Sequence, residues 1–259
     1  MNLKIYLTAL AVLSFSCAFS QFRLLGTADY ISGNCIQLTP DVEYSNGLAY
    51  HYTKLDLEGY FEIQFDIFLG NKDEGADGIT FVIHNDPREF DAFGTWGECM
   101  GYGRWHPDAV WASSITPSVA IEFDTYQNLQ QLDPYSDHVA YLENGISMHP
   151  TFWNNNDKAF DIEDDQMHDF RFRWDPSIQM ITVLLDGNTV YEGKRDLIDD
   201  VFGGATQVIW GFTASTGRKS NLQYFCLRNL VKADGNESVS PNGMDFPTQP
   251  IKSVASINE

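Results

Sequence analysis

Short segments in which hydrophobic and polar residues alternate follow one another along most of the chain. Residues 61–68 (FEIQFDIF) and 170–174 (FRFRW) alternate with a period of two, as expected for strands with one buried face. Residues 79–83, 119–123 and 180–185 are largely apolar and predict strands buried on at least one face. Turn-forming residues separate these segments, and no longer window has the period of an amphipathic helix. The pattern predicts an all-β protein, either a sandwich or a barrel.

The two ends of the chain differ from this pattern. Residues 1–20 combine Lys4, a short apolar stretch and small residues before Gln21, which is typical of a cleaved secretory signal peptide. That stretch is too short to span a bilayer, and no other apolar run predicts membrane insertion. Residues 232–259 are polar and contain too few apolar side chains to form a core. We therefore expect a secreted or cell-surface protein with one domain at 21–231 and a flexible C-terminal tail.

The charge balance is strongly acidic. With 16 Lys and Arg against 36 Asp and Glu, the formal net charge is −20. Such a chain lacks the excess of Lys and Arg that neutralises nucleic-acid phosphates, and it is equally unsuited to an anionic membrane surface. Many carboxylates suit Ca²⁺, but a high net charge also serves solubility alone. Composition disfavours nucleic acid as a partner and leaves calcium binding to be decided by residue spacing.

One segment, residues 121–138, concentrates the chemistry. Polar groups that could bind a metal recur along a predicted strand and the loop after it, namely Glu122, Asp124, Tyr126, Asn128, Asp133 and His138. On a strand the first four would share one face, where neighbouring carboxylates repel, so a positive charge is expected to compensate. The simpler interpretation is an acidic hairpin with solvated carboxylates. The number and order of these residues favour a metal site.

The ligand types in this segment suit two different cations. Hard oxygen ligands for Ca²⁺ would come from Asp124, Asn128, Asp133 and the backbone carbonyl of Tyr126. A set that adds an imidazole nitrogen suits a transition ion, with Mn²⁺ favoured by the carboxylates, and consists of Glu122, Asp124, Asp133 and His138. The other histidines, such as His149, have no partners at ligand spacing and are interpreted as surface or core residues.

The same segment resembles the metal-binding strand and loop of the legume-type (L-type) lectins. It matches the pattern E-x-D-x-[FY]-x-N-x₄-D-P-x₃-H from Glu122 to His138 without a gap. Three further segments are similar to segments of that family: residues 75–81 (GADGITF), 167–175 (MHDFRFRWD) and 210–217 (WGFTASTG). The similarity covers about residues 22–230 and is greatest to bacterial members. It implies an antiparallel jelly-roll sandwich of the concanavalin A type that binds carbohydrate.

The resemblance also implies roles for individual residues. Asp77 would follow a cis peptide bond and accept hydrogen bonds from sugar hydroxyls, while Asn128 would donate one. The Tyr126 ring would pack against the apolar face of the sugar. The Ca²⁺ and Mn²⁺ ions would hold this sugar site in place without contacting the sugar. Without the metal motif, Asp77 and Gly78 would be interpreted as a plain turn.

Two features depart from the family pattern. Glu98 stands where a glycine is expected to offer its backbone N–H to the sugar, so the neighbouring Gly97 is the candidate for that contact. The specificity loop at 217–221 is short and basic. Its two cations, Arg218 and Lys219, would favour an acidic or phosphorylated sugar, unless they are simply solvated.

Three cysteines follow the predicted signal peptide, an odd number for an oxidising compartment: Cys35, Cys99 and Cys226. Their spacing alone does not choose a pair, and no CxxC motif indicates a zinc or redox site. In the lectin family the first and last strands are neighbours. The resemblance therefore favours a disulfide between Cys35 and Cys226 and leaves Cys99 as a free thiol.

The main alternative is a glycoside hydrolase on the same sandwich. Laminarinase-like β-glucanases carry E-x-D-x-E or E-x-D-x-x-E, in which two carboxyl groups act as nucleophile and acid. Glu122 and Asp124 match the first two acids, but Tyr126 or Gln127 occupies the third position and cannot supply the proton. A second alternative is an adhesion or structural module that has lost sugar binding. The sequence favours glycans or glycoconjugates as partners and leaves a homo-oligomer open.

Overall fold

The computed structural model describes residues 21–31, 34–154 and 160–232, which form two antiparallel sheets. The predicted signal peptide and nearly all of the predicted tail lie outside the described residues. Fourteen strands follow one another in chain order: β1 (Phe22–Gly26), β2 (Asp29–Tyr30), β3 (Cys35–Thr39), β4 (Asn46–His51), β5 (Leu55–Asp56), β6 (Phe61–Phe68), β7 (Gly78–His84), β8 (Ser118–Asp124), β9 (His138–Glu143), β10 (His168–Asp175), β11 (Met180–Leu185), β12 (Asn188–Lys194), β13 (Gln207–Ser215) and β14 (Gln223–Lys232).

The two sheets pack face to face as a sandwich. The first sheet has the order β1-β4-β13-β7-β8-β9, with β5 also paired to β13, and the second has the order β12-β11-β10-β6-β14-β3-β2. All five segments predicted as strands, from alternation or from a largely apolar run, lie within β6, β7, β8, β10 and β11. The predicted all-β antiparallel sandwich is therefore confirmed. Helical structure in the described residues is limited to short turns, none long and apolar enough to cross a membrane.

The main core lies between the sheets and is rich in aromatic rings. Along β6 the side chains alternate strictly between buried and partly exposed, which gives the second sheet one apolar face. Phe65 of this strand is fully buried, and its ring contacts Phe81 and Phe212 of the first sheet at centroid distances of 5.6 and 4.6 Å. Such contacts join the two sheets directly.

The first sheet is buried on both faces. Every residue of β7 and β8 is buried, although only alternate residues face the main core. On the outer face a second apolar cluster joins Val82 and Ala120 to Tyr102 and Ile115, which belong to the long connection between β7 and β8. This connection shields the outward-facing side chains of β8 from solvent. The candidate site lies on this covered face.

The predicted disulfide between Cys35 and Cys226 is confirmed, and Cys99 is a buried free thiol. The two bonded cysteines lie directly opposite each other on β3 and β14. The last strand, β14, thus has β3 as its neighbour, whereas the first strand, β1, pairs with β4 in the other sheet. The N-terminal segment is divided between the two sheets, a detail that the family resemblance did not imply.

Replacing both Cys35 and Cys226 by Ser should lower the free energy of unfolding by about 2–4 kcal/mol, because the bond closes a long loop in the unfolded chain. The cysteines are separated by 191 residues. Urea unfolding with and without a reducing agent measures the effect. Reduction should bring the wild type to the stability of the double variant and leave the variant itself unchanged. A wild type that is insensitive to reduction after full unfolding would contradict the assignment.

Candidate functional site

Asp77 lies immediately before β7, and hydrogen bonds of its backbone fix its position. The Ala76–Asp77 peptide bond is cis, as the resemblance implied. The Asp77 N–H donates to the Ser215 carbonyl at 3.0 Å, and the Asp77 carbonyl accepts from the Thr125 N–H at 3.1 Å. The interpretation of this segment as a plain turn is wrong. Asp77 instead connects the end of β13 with the loop that follows β8.

The carboxylate of Asp77 occupies a small cradle between two glycines. It is 5% exposed, and its Oδ2 atom has no hydrogen-bond partner among the described residues. Side chains placed on Gly97 and Gly217 would bring Cβ atoms within 4.0 and 3.7 Å of that oxygen. Burial, reinforced by the charge of Glu98, raises the pKa of Asp77 to about 7. Gly97 and Asp77 are therefore neighbours, as predicted for the sugar site.

Glu122 and Asp124 lie on the covered outer face of β8, where both are almost fully buried. The strand ends at Asp124, whose Oδ1 accepts a hydrogen bond from the Tyr126 N–H at 2.8 Å. Such a local bond competes with the strand ladder. The expectation that four alternating side chains share one strand face is thus correct for Glu122 and Asp124. It is wrong for Tyr126 and Asn128, which lie in the loop.

The loop after β8 turns back so that Asp133 and His138 meet the carboxylates of β8. The Asn128 N–H donates to Asp133 Oδ2 at 2.6 Å, which closes the loop. His138 begins β9 directly opposite Asp124. Its Nε2 atom lies 3.8 Å from Glu122 Oε1 and 3.9 Å from Asp133 Oδ1. The structure brings the predicted ligand side chains into one cluster.

His149 also belongs to this cluster, and sequence reasoning missed it. Its Nδ1 atom lies 2.9 Å from Glu122 Oε1 and 2.9 Å from the Ser147 carbonyl. The interpretation of His149 as a histidine without a ligand partner is therefore wrong. No local spacing could have identified it, because His149 arrives from the connection after β9. There the His149 N–H donates to the Gln131 carbonyl at 3.2 Å.

Several ligand atoms of the cluster are buried without a hydrogen-bond partner among the described residues. These atoms are Asn128 Oδ1, Asp133 Oδ1, His138 Nε2 and His149 Nε2, whereas Glu122 Oε1 has His149 Nδ1 as its partner. Buried polar atoms normally have partners, so this arrangement fits bound cations. Two sets of ligand atoms lie within 4.8 Å of one another, one from Glu122, His138 and His149 and one from Asp124, Asp133 and His138. The residues present therefore suit neighbouring divalent ions.

The pKa values of the clustered side chains show that bound cations would relieve the cost of burial and the repulsion among the carboxylates. Burial, together with repulsion from Asp133 and Glu122, holds the pKa of Asp124 well above its ordinary value. Burial likewise raises the pKa of Asp133 to about 7 and lowers that of His138 to about 3. His149 behaves oppositely, because its contact with Glu122 outweighs burial and raises its pKa to about 9. Without a metal, protonated His149 supplies the compensating positive charge expected from the sequence.

The rim of the site combines apolar and charged side chains. Tyr126 is 38% exposed, and Leu129, Leu132 and Tyr135 of the same loop are more exposed still. Lys219 pairs with Glu74 at 2.7 Å. Arg218 is exposed and has no ion pair with any described residue. Of the two cations in the basic loop, Arg218 is thus the one available to a ligand.

Residues 14–229 match the sequence model of a family described as the legume lectin β-barrel domain. The chain belongs to this lectin family. The match includes Asp77 and the whole segment from Glu122 to His138. Membership of a lectin family identifies the chain as a carbohydrate-binding protein and not as a glycoside hydrolase. The greater similarity to bacterial members stays a prediction.

Solved structures of lectins have the same fold as this chain. The Bauhinia forficata lectin in complex with GalNAc is 19% identical, with a TM-score of 0.64 over 82% of this chain and 92% of that chain. The metal-free form of lectin I-B4 from Griffonia simplicifolia is 22% identical, with a TM-score of 0.64 over 83% and 93%. Lectin I from Ulex europaeus, in complex with a methyl glycoside of α-L-fucose, is 18% identical, with a TM-score of 0.61 over 83% and 92%.

Proposed function

We propose that this lectin binds glycans at Asp77 and that a Ca²⁺ ion and a transition ion hold the site in shape. The observation that carries the proposal is the set of buried, unpartnered ligand atoms on Asn128, Asp133 and His138, together with the hydrogen bond from the Thr125 N–H to the Asp77 carbonyl. That bond connects the metal loop to the sugar-binding residue. Bound ions that fix the metal loop would therefore also fix the position of Asp77.

The two ions would use different ligands. Ca²⁺ would be held by oxygen atoms of Asp124, Tyr126, Asn128 and Asp133, the Tyr126 oxygen being its backbone carbonyl. The transition ion, Mn²⁺ in this proposal, would be held by Glu122, Asp124, Asp133 and His138. His149 lies against Glu122 and is a further nitrogen donor for the second ion. When bound, the ions neutralise the buried carboxylates.

The sugar would sit between the cradle of Asp77 and the metal loop. Asp77 Oδ2 accepts hydrogen bonds from sugar hydroxyls, Asn128 donates one through its amide, and the backbone N–H of Gly97 donates another. The half-exposed ring of Tyr126 packs on the apolar face of the sugar. Arg218 at the rim would contact an acidic or phosphorylated substituent.

Export of the protein is part of this proposal. The Cys35–Cys226 disulfide supports an oxidising compartment, and the predicted signal peptide at residues 1–20 would direct the chain there. The mature protein would be soluble and would meet its glycans outside the cell or at the cell surface. The proposed site is built from residues of one chain, so its geometry is the same whether the lectin is a monomer or a homo-oligomer.

A glycan array tests the proposal, probed with and without EDTA and with the variant Asp77→Asn. Asp77→Asn should weaken binding at least about 100-fold, because the charge is lost and one acceptor oxygen is replaced by an NH2 donor that faces the sugar hydroxyls. Asp108→Asn, at a fully surface-exposed carboxylate, is the matched control and should bind like the wild type. EDTA should abolish binding, and Ca²⁺ with Mn²⁺ should restore it.

Two results would reject the proposal in different ways. Glycan binding that survives both EDTA and Asp77→Asn would show that another surface binds sugar. A protein that binds Ca²⁺ but retains no glycan on the array would favour the adhesion or structural module.

A further inference from the structure

A second group of carboxylates lies at the other side of the metal loop. Asp137, Asp161 and Glu163 each offer an oxygen, and these oxygens lie within 4.8 Å of one another. Glu163 is only 3% exposed and Asp137 only 9%, whereas Asp161 is at the surface. Two buried carboxylates in contact repel unless a cation or a shared proton lies between them.

The hydrogen bonds from backbone N–H groups do not neutralise this group. Asp137 Oδ2 accepts from the Ile162 N–H at 2.7 Å, and Asp161 Oδ1 accepts from the Glu163 N–H at 3.1 Å. The side chains of Asp137 and Glu163 lie within hydrogen-bonding reach of each other, a contact that requires a proton or a cation between them, and Glu163 Oε2 is buried with no other partner among the described residues. No Lys or Arg of the described chain forms an ion pair with the three carboxylates, and Asp73 adds further negative charge nearby.

This group is separate from the proposed metal pair, although Asp137 precedes His138 in the chain. His138 faces Asp124 on the covered outer side of the first sheet. Asp137 instead contacts Ile162, a residue of the main core between the sheets. The two neighbouring side chains therefore point into different surroundings and cannot serve the same ion.

We propose that Asp137, Asp161 and Glu163 bind a further divalent cation, namely Ca²⁺. The ligands are all carboxylate oxygens with no nitrogen or sulfur among them, which suits a hard cation that accepts flexible coordination. The exposed side of Asp161 gives the ion access from solvent and leaves room for water ligands. The ion would fasten residues 160–165 to the start of β9.

The proposed ion would also hold the segment beside the connection between β6 and β7, without being needed for sugar binding. The Asp165 N–H donates to the Gly70 carbonyl at 3.0 Å, which joins the segment to the connection between β6 and β7. That connection leads to Asp77. This role is independent of the metal pair, because none of its ligands belongs to the proposed pair.

Native mass spectrometry of the full secreted protein, reloaded with Ca²⁺ and Mn²⁺ after EDTA treatment, tests the proposal. Glu163→Gln preserves shape and removes one charge, so it should carry one Ca²⁺ fewer than the wild type. Glu192→Gln, at an exposed position of β12, is the matched control and should carry the same number as the wild type. Asp133→Asn should lose ions of the metal pair and keep the Ca²⁺ at Glu163.

A milder variant keeps the test decisive if Glu163→Gln does not fold. Asp161→Asn changes only the surface ligand and should weaken one Ca²⁺ site at least about tenfold in a calorimetric titration. Glycan binding should be retained by every folded variant at Asp161 or Glu163 when Ca²⁺ is in excess. Equal Ca²⁺ content and affinity in the wild type and these variants would overturn the proposal and assign a shared proton to Asp137 and Glu163.

Discussion

Removing divalent cations should reverse the pH dependence of stability between pH 4 and 7. In EDTA, Asp124 and Asp133 have folded-state pKa values above their ordinary ones, about 7 for Asp133. A carboxyl group whose pKa is higher in the folded than in the unfolded protein binds its proton more tightly in the folded state. It therefore stabilises the fold at low pH, and this stabilisation is lost as the pH rises through the folded-state pKa. His138, whose pKa is lowered to about 3, acts in the opposite direction, but it is outnumbered by the raised carboxylates, which include Asp77. The metal-free protein should therefore become less stable toward pH 7. With cations, which require deprotonated ligands, stability should instead rise.

The difference between the two curves should be large at neutral pH. A cation present at about 1,000 times its dissociation constant adds about 4 kcal/mol to the free energy of unfolding. Urea unfolding at several pH values, with and without Ca²⁺ and Mn²⁺, measures it. His84 is buried and its pKa is lowered to about 4, so it favours stability at higher pH in both curves. Its contribution cancels in the difference. Parallel curves would contradict the metal assignment.

Phe65→Ala should be among the most destabilising single substitutions in the sandwich. Phe65 is fully buried on β6, and its ring contacts rings of both sheets, including Phe170 and Phe225 at 5.7 and 6.1 Å. Removing it leaves a cavity at the point where the sheets meet. The expected loss is about 3–5 kcal/mol in the free energy of unfolding, measured by urea denaturation in saturating Ca²⁺.

Phe68→Ala provides a matched control for this substitution. Phe68 belongs to the same strand, faces away from the core and stacks on Tyr224 at 4.8 Å. Because it is already partly exposed, its removal should cost no more than about 1.5 kcal/mol, the value of a surface aromatic pair. Similar losses for Phe65→Ala and Phe68→Ala would show that the aromatic core does not join the sheets as described.

The fold and the first part of the site could be predicted because their signals are local. Alternation along residues 61–68 reflects a strand with one buried face, and the spacing from Glu122 to His138 follows one strand, one loop and the start of the next strand. Even the neighbourhood of Asp77 and Gly97 followed from the family resemblance.

What the sequence could not supply depends on contacts between distant segments. His149 joins the ligand cluster only because the connection after β9 folds back over it. Glu163 lies close to Asp137 for a similar reason, since Asp137 directly precedes β9 and Glu163 lies in the connection between β9 and β10. The sequence of β8 shows no clear alternation of apolar and polar residues, because a second apolar cluster also buries its outward-facing residues. Local patterns record which face of a strand is apolar, but not what covers the opposite face.

The covered outer face of the first sheet also decides how two copies of this lectin could associate. A second chain approaching β7 and β8 would meet the long connection between these strands and not a flat array of strands. The outward face of the second sheet is open but carries ion pairs, such as Arg173 with Glu62 at 2.7 Å. A homo-oligomer that used this face would therefore have a polar interface sensitive to ionic strength, and raising the salt concentration would dissociate it.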